Sequence, residues 1–260
     1  MSEILFGQSY YLKFDPKLYA AMQPYPPLGT LYAASYLRDL GYAVAVFDAM
    51  LAQSEEEWTH ALDQHAPRIA ILYEDSFNYL SKMCLLRMRE AAFTMLRAAK
   101  SRGCITIVSG SDATDHLAAY FDAGADYIII GEGEVTLGEL LDALTRTRRD
   151  LITIRGLAWR EANDVIMRTP PREFIRELDA LPFPAWDLIN VAHYRAVWRA
   201  RHGYFSMNLV TTRGCPYHCN WCAKPIYGQR YNVRSPENVI AEMKMLKEKL
   251  QPDHIEFADD

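Results

Sequence analysis

The sequence lacks any long apolar stretch: no run approaches the roughly 20 apolar residues that a transmembrane helix requires. Its first residues, MSEILFGQSYYLKFDP, lack the cationic and apolar zones of a signal peptide. The formal net charge is -5, and acidic and basic residues are interspersed, so no broad basic field that would attract nucleic acid is expected. We therefore expect neither a transmembrane segment nor a nucleic-acid partner, and nothing in the sequence indicates export.

Cysteine is scarce, with five residues among 260, and its distribution is uneven. Cys84 and Cys104 each lie alone in apolar surroundings, as small buried side chains do. The other three, Cys215, Cys219 and Cys222, fall within eight residues. Because a secreted disulfide scaffold would distribute an even number of cysteines along a short chain, this pattern favours the reducing cytoplasm.

Short apolar runs alternate with amphipathic segments over residues 1–147. Runs this apolar are typical of strands buried on both faces, in a parallel sheet with helices on each side. We therefore predict an α/β domain with a doubly wound, flavodoxin-like or Rossmann-like sheet of five parallel strands. Among the helices, one is predicted to begin at Ser54, with Glu57 at capping-box spacing, and a short one to span Ala113 to Asp122. The predicted strands are Ile4 to Gly7, Ala43 to Phe47, Arg68 to Tyr73, Ile105 to Val108 and Tyr127 to Ile130.

Two further segments follow this domain. Residues 148–204 are predicted to form a hairpin from Leu157 to Arg168 and then a connector that cannot run as one helix, because it contains several prolines. Residues 205–260 are predicted to form one β-loop-α-β unit, in which NLVTT and HIEFA are strands and Pro236 to Leu250 is the helix. The connector prolines are Pro170, Pro171, Pro182 and Pro184.

The three clustered cysteines lie in the segment TTRGCPYHCNWCAKP, at spacings of three and then two residues. With Gly214 before the first cysteine and Pro216 after it, the segment cannot place them on one helix face, so we expect a loop that wraps a compact metal centre. Three thiolates can hold three irons of a [4Fe-4S] cluster and leave the fourth iron open. A zinc site with His218 as the fourth ligand is the alternative, but adjacent residues rarely both reach one tetrahedral ion and there is no second cysteine pair. A disulfide with one free thiol is a further alternative.

The cysteine loop, with Trp221 before its third cysteine, resembles the radical S-adenosylmethionine superfamily. The start of the loop, Arg213 to Pro216, and the closing FADD, Phe257 to Asp260, are similar to members that carry an N-terminal cobalamin-binding domain. The resemblance implies a [4Fe-4S] cluster on Cys215, Cys219 and Cys222 and a bound S-adenosylmethionine, with Trp221 and Asp259 near this cosubstrate. For Asp259 or Asp260, a strand-end turn is an equal alternative.

The first domain also resembles the cobalamin-binding domain of these enzymes, in the order of YPPLGTLYAASYLRDLGY, VSGSDAT and ADYIIIGEGEVTLGELL. Ligands of open parallel sheets collect beyond the carboxyl ends of the strands, although this fold would equally suit a flavin or a receiver domain. No histidine occurs from Gln8 to Leu28, so this loop offers no imidazole to the lower face of cobalt, and His116 lies elsewhere. The expected cobalamin contacts are Pro27, Gly29, Ser76, Ser109, Gly110, Ser111, Gly131, Glu132, Gly133 and Glu134.

Together these resemblances imply a cobalamin-dependent radical enzyme that methylates an unactivated carbon of a small-molecule or lipid-like substrate. An external one-electron reductant of the flavodoxin or ferredoxin type would be its partner. A radical cyclase or rearrangement enzyme of the same architecture is an alternative, as is a corrinoid-binding module with a structural zinc site. Because a β/α barrel takes roughly 200 residues, we expect residues 205–260 to be the truncated start of a radical barrel. We further expect the chain to be the N-terminal part of a longer protein and inactive alone.

Overall fold

The computed structural model describes residues 3–75, 77, 85–147, 150–217 and 227–259. The strands in these residues are β1 Ile4–Gly7, β2 Val44–Val46, β3 Ile69–Tyr73, β4 Ile105–Ser109, β5 Tyr127–Ile129, β6 Leu157–Arg160, β7 Ile166–Arg168, β8 Ser206–Leu209, β9 Thr212–Arg213, β10 Asn232–Val233 and β11 His254–Phe257. The helices are α1 Pro16–Ala21, α2 Leu28–Asp39, α3 Glu56–His65, α4 Leu85–Ser101, α5 Ser111–Asp115, α6 Leu117–Asp122, α7 Glu134–Asp142, α8 Val191–His202 and α9 Pro236–Lys249.

The main sheet has the strand order β2-β1-β3-β4-β5-β6-β7. Strands β1 to β5 are parallel, as predicted, and β1 and β3 are buried along their whole length. The prediction of five strands is wrong, because the hairpin β6–β7 adds two antiparallel strands beside β5. The hairpin itself was predicted, but the sequence does not indicate which sheet edge it joins, since strand pairing is a long-range choice.

Alternate residues of the parallel strands pack on opposite sides of the sheet. On one side, Leu5 and its neighbours contact Trp58 of α3 and residues of α4. On the other side, Phe6 and its neighbours contact Leu37 of α2 and Leu137 of α7. Full burial of side chains of this size contributes about 1.5–3 kcal/mol each, so both faces stabilise the sheet and hold the carboxyl ends of its strands in place.

Several helices differ from the sequence prediction. The helix expected from Ser54 begins at Glu56 as α3, and the carboxylate of Glu57 accepts the Gln53 backbone N–H at 2.6 Å. The helix expected from Ala113 to Asp122 is divided at His116 into α5 and α6. Helices α1 and α8 were not predicted.

Helix α8 lies between the main sheet and the β-loop-α-β unit. Asn190 caps it by accepting the His193 N–H at 3.2 Å. Its buried face carries Val191, Tyr194 and Trp198, and the Trp198 indole N–H donates to the Pro24 carbonyl at 2.6 Å. The helix thereby contributes to a core that both parts of the chain share.

The helix and second strand of the β-loop-α-β unit form as predicted, but the strand predicted over NLVTT is divided, since β8 ends at Leu209 and Thr212 belongs to β9. Strand β8 pairs in parallel with β11 over four residues, from Ser206 opposite His254 to Leu209 opposite Phe257, and α9 connects the cysteine loop to β11. Throughout the described ranges, the helices are too short or too polar to cross a bilayer.

Candidate functional site

The cysteine loop is closed at its base by a short antiparallel ladder. Strand β9 pairs with β10, and the Cys215 N–H donates to the Gly228 carbonyl at 3.3 Å. Cys215 is half-buried. The remaining predicted residues of the loop, Cys219, Trp221 and Cys222, lie outside the described residues, as does His218 of the zinc alternative.

Gly214 fixes the backbone at this base. Its φ is +84°, a left-handed conformation that favours glycine. A Cβ atom there would lie 2.2 Å from the Arg230 carbonyl oxygen, 2.7 Å from that of Tyr227 and 3.0 Å from that of Gly228. The glycine before the first cysteine therefore lets both ends of the loop approach each other closely.

Arg213 connects the cysteine loop to the main sheet. Its guanidinium, 3% exposed, donates to Glu132 Oε1 at 2.5 Å and to Glu134 Oε1 at 2.7 Å, in the turn after β5. The second oxygen of Glu132 accepts the Ile175 N–H at 2.6 Å, so this carboxylate also holds the connector. Burial and the neighbouring Glu134 raise the pKa of Glu132, and Arg213 partly offsets them. The two glutamates predicted as cobalamin contacts are thus bonded to the strand that leads into Cys215.

Asp259 anchors the backbone just before this strand. Its Oδ1 accepts the N–H groups of Thr211 and Thr212 at 2.6 and 3.0 Å, and its Oδ2 accepts the Thr211 hydroxyl at 2.7 Å. Both carboxylate oxygens therefore hold the end of β11 against the start of β9. This arrangement favours the strand-end role, and Asp260 lies outside the described residues.

The turns that follow β1, β3, β4 and β5 form the second half of the candidate site. Pro27 and Gly29 begin α2, where the Gly29 N–H donates to Asp75 Oδ1 at 2.9 Å. A carboxylate therefore occupies the N-terminus of the helix after β1, the place where nucleotide-binding sheets hold a phosphate. A ligand that places its phosphate at this helix end would therefore meet the Asp75 carboxylate.

The other predicted contacts at this edge are small residues in close packing. Ser109 is buried at the end of β4, and Ser111 begins α5. A Cβ on Gly133 would lie 2.6 Å from the Tyr73 hydroxyl, whereas one on Gly131, whose φ is +81°, would meet nothing within 4 Å. Gly131 therefore faces open space, and Ser76 lies outside the described residues.

The sequence places Glu74 and Asp75 in the segment from Glu74 to Asn78, at the carboxyl end of a buried strand, but Ser76 alone was singled out there as a site residue. Glu74 lies where the ends of β1, β3 and β4 meet: its carboxylate accepts the Ser9 N–H at 3.1 and 3.2 Å, and its Cγ would be 3.0 Å from a Cβ on Gly110. Burial raises the pKa of Glu74 to about 7, the Ser9 N–H opposes this, and Asp112 and Asp75 add to it.

Stability should consequently depend on pH through Glu74. Between the ordinary glutamate pKa of about 4.3 and the raised value, the folded chain binds more protons than the unfolded chain, so stability falls as pH rises through this interval. Glu74→Gln should remove this pH dependence and raise the free energy of unfolding at pH 8 by roughly 2 kcal/mol. This gain is smaller than the full pKa shift would give, because Glu74 is partly exposed. Urea unfolding at pH 5 and pH 8 measures the effect. Glu90→Gln, at an exposed site, is the control, and an unchanged pH slope in Glu74→Gln would contradict the assignment.

No protein-family model matches the chain. Three curated relatives are similar in sequence. Methyltransferase PH0819 of Pyrococcus horikoshii is 37% identical over 136 residues, which cover 52% of this chain and 28% of the relative. The anaerobic magnesium-protoporphyrin IX monomethyl ester cyclase of Synechocystis is 26% identical over 225 residues, 85% of this chain and 42% of the cyclase. The hopanoid C-3 methylase of Methylococcus capsulatus is 28% identical over 234 residues, 85% of this chain and 40% of the methylase.

Two solved structures share the fold of the whole chain. The cobalamin-dependent S-adenosylmethionine radical enzyme OxsB, with aqua-cobalamin and S-adenosylmethionine bound, has a TM-score of 0.74 and 18% identity and is covered over 34% of its length. The radical S-adenosylmethionine methyltransferase TsrM of Kitasatospora setae, with cobalamin and a [4Fe-4S] cluster bound, has a TM-score of 0.71 and 19% identity and is covered over 48%. The chain thus spans less than half the length of each relative and structure named here. The predicted resemblance is confirmed: the chain is a sequence relative of these methyltransferases and of the cyclase, and it shares the fold of the corresponding part of two cobalamin-dependent radical S-adenosylmethionine enzymes.

Proposed function

We propose that the chain forms the cofactor-binding part of a cobalamin-dependent radical methyltransferase. The observation that carries this proposal is the direct bonding of the cysteine loop, through Arg213, to the turn after β5 at the carboxyl edge of the sheet. A radical formed beside Cys215 and a methyl group held at the sheet edge would then lie next to each other. In this division, residues 1–147 bind corrinoid and residues 205–260 begin a radical barrel. Residues 148–204 connect these two parts.

The chemistry of the loop fits a cluster. Cys215 lies at a closed, glycine-fixed base, and the spacing of Cys219 and Cys222 places two further thiols in the same loop. Three thiolates would leave one iron open for S-adenosylmethionine. When bound, the cluster supplies the electron that cleaves this cosubstrate, and the corrinoid supplies the methyl group. Trp221 would pack beside the cosubstrate, while Asp259 would hold the start of the loop in position.

The sheet edge fits a neutral, amide-bearing macrocycle better than an anion. Glu74, Asp75 and Asp112 bring three carboxyl groups to this edge, and Asp112 pairs there with Arg89 at 2.5 Å. We propose that Pro27, Gly29, Ser76, Ser109, Gly110, Ser111, Gly131 and Gly133 shape the corrinoid site. Glu132 and Glu134 would contribute by holding Arg213.

An apolar groove of about 520 Å³ along α9 and β11 supports the barrel assignment, because a second β-α unit packed beside β11 would cover it. Phe257, half exposed on β11, lines this groove together with Ile240 and Met243 of α9. The substrate, an unactivated carbon of a small or lipid-like molecule, would then meet the radical inside the completed barrel. The electron would come from a flavodoxin or ferredoxin type of protein in the cytoplasm.

A cyclase is the second candidate function, because the similarity to the magnesium-protoporphyrin cyclase covers 85% of this chain. None of the described residues distinguishes a methyltransferase from a cyclase. Mass spectrometry of the product separates them: methylation adds the mass of one CH₂ unit to the substrate, whereas oxidative ring closure does not.

The cysteine assignment is tested by anaerobic reconstitution of the chain with iron and sulfide. Cys215→Ala, Cys219→Ala and Cys222→Ala, alone and combined, should abolish the brown absorbance and the acid-labile sulfide, because each removes a thiolate ligand, while hydroxocobalamin binding is retained. Cys104→Ala, a change at a buried cysteine in the first core, is the matched control and should keep both. A single zinc ion without sulfide would refute the cluster, and complete loss of corrinoid binding in the cysteine variants would refute the two-site division.

A further inference from the structure

The bonds of Arg213 cross between the two halves of the candidate site. On one side, the residue stands two positions before Cys215 in the strand β9 that closes the cysteine loop. On the other side, its guanidinium is bonded to Glu132 and Glu134, which flank Gly133 and follow Gly131 at the open edge of the sheet. A change in the position of the turn after β5 can therefore shift Cys215, because the Arg213 side chain links that turn to a backbone position only two residues before Cys215.

Aromatic rings form a second connection around the same guanidinium. Phe77, after β3, stacks on Tyr227 at the far end of the cysteine loop, with ring centroids 4.9 Å apart and planes inclined by 17°. The Arg213 guanidinium carbon lies 4.9 Å from the Tyr227 ring centroid and 5.4 Å from that of Phe77. These separations are within the range of cation–π attraction, which is stronger in a desolvated site. Both ends of the loop are thus tied to strand ends of the main sheet.

The ion pairs of Arg213 with Glu132 and Glu134 join one positive group to two negative groups, so their strength depends on the surrounding geometry. One guanidinium lies between two buried carboxylates, and within the described residues the second oxygen of Glu134 has no hydrogen-bond partner. Because an unpartnered buried carboxylate oxygen is costly, the geometry of the turn decides how well the three groups stabilise each other. A ligand that orders the turn at Gly131 would also order the carboxylates that hold Arg213.

We propose that Arg213 is a positioning residue that couples the two cofactor sites, so that corrinoid bound at the sheet edge and a cluster bound in the cysteine loop each strengthen the binding of the other. The proposal rests on the proposed function. Thermodynamic linkage requires the coupling to be reciprocal: the factor by which the cluster increases corrinoid affinity equals the factor by which corrinoid increases cluster affinity. Coupling of this kind typically changes affinity by about 5-fold to 150-fold.

The test is a cycle of hydroxocobalamin titrations on the whole chain. The dissociation constant is measured by absorbance for anaerobically reconstituted and for cluster-free protein, and the ratio of the two constants is compared between variants. In the unaltered chain the cluster should tighten corrinoid binding by about tenfold. In Glu134→Gln, which keeps the shape of the side chain but removes its charge, the ratio should fall towards one although both cofactors still bind.

Glu139→Gln is the matched control. Glu139 lies on α7, as Glu134 does, and bonds to Arg172 of the connector. Its coupling ratio should equal that of the unaltered chain. A ratio of one in the unaltered chain, or an undiminished ratio in Glu134→Gln, would overturn the proposal.

A second variant and a second readout keep the test decisive if Glu134→Gln folds poorly. Arg213→Lys retains the positive charge but loses the two-pronged hydrogen bonding, so it should also reduce the ratio. In the unaltered chain, hydroxocobalamin should slow the bleaching of the cluster in air, and in Arg213→Lys this protection should disappear. Binding of both cofactors without coupling would reject only this inference, whereas failure of either cofactor to bind would reject the proposed function as well.

Discussion

Gly214→Ala is expected to prevent the cysteine loop from holding a cluster. The new methyl group would lie 2.2 Å from the Arg230 carbonyl oxygen, far inside van der Waals contact, and two more carbonyl oxygens lie within 3.0 Å. The φ of +84° adds a cost of about 1–2 kcal/mol for a residue with a Cβ. Because backbone atoms of the loop itself cannot yield without moving β10, the base of the loop must open and Cys215 must shift. Iron and acid-labile sulfide per chain, measured after anaerobic reconstitution, should fall by more than about tenfold, the change that a 1.4 kcal/mol difference in cluster binding produces.

Gly103→Ala separates the two causes of this effect. Gly103 has nearly the same φ, +77°, but a Cβ there would meet nothing within 4 Å. Its replacement should cost about 1 kcal/mol of unfolding free energy and leave iron and sulfide contents unchanged. Full cluster content in Gly214→Ala would show that the three carbonyl oxygens do not determine the geometry of the loop.

The sequence was sufficient to predict features whose signals are local. The cysteine spacing, Gly214 and Pro216 indicate a metal-binding loop, which stays a prediction, whereas the strands and helix on either side of that loop lie within a few residues of the prediction. The five parallel strands were predictable because each is a compact apolar run between turn residues. Helix α8 also left a signal, since Val191, Tyr194 and Trp198 follow helical spacing. The prolines before it led us to assign the whole segment to a connector.

The features that escaped prediction depend on contacts between distant residues. Glu132 and Glu134 were identified as site residues, but Arg213, their bonding partner, lies 81 and 79 positions away in the chain. The placement of the hairpin beside β5 likewise depends on a free sheet edge that only the folded chain presents. Charged residues follow no periodic pattern that would identify their partners. The sequence can therefore suggest which residues belong to the candidate site, but not which of them form ion pairs with each other.

A second buried ion pair gives the largest expected effect on stability. Arg234, after β10, lies 2.5 Å from Glu242 of α9, and the two side chains are 5% and 0% exposed. Arg234 also donates to the Val210 carbonyl at 2.7 Å and to the Tyr32 hydroxyl at 3.2 Å, so it links α9 and β10 to α2 of the first domain. Arg234→Met would leave the Glu242 carboxylate buried without its cation, at a cost of about 3–5 kcal/mol. Urea unfolding at pH 7 measures this loss.

Two measurements test why Arg234→Met loses stability: the direction in which the loss changes with pH, and the effect of a second substitution, Glu242→Leu. Burial raises the pKa of Glu242 and Arg234 opposes the rise, so removal of the arginine should raise this pKa further. A group with a raised pKa in the folded state stabilises the fold when protonated, and this stability is lost as pH rises through that pKa. The defect of Arg234→Met should therefore shrink at pH 5, and Glu242→Leu added to it should restore most of the stability, since an apolar pair can replace a buried ion pair. Arg199→Met, which breaks an exposed pair with Asp253, should cost less than about 1 kcal/mol. If the double variant were no more stable than Arg234→Met, the loss would come from the missing bonds to Val210 and Tyr32 and not from the stranded carboxylate.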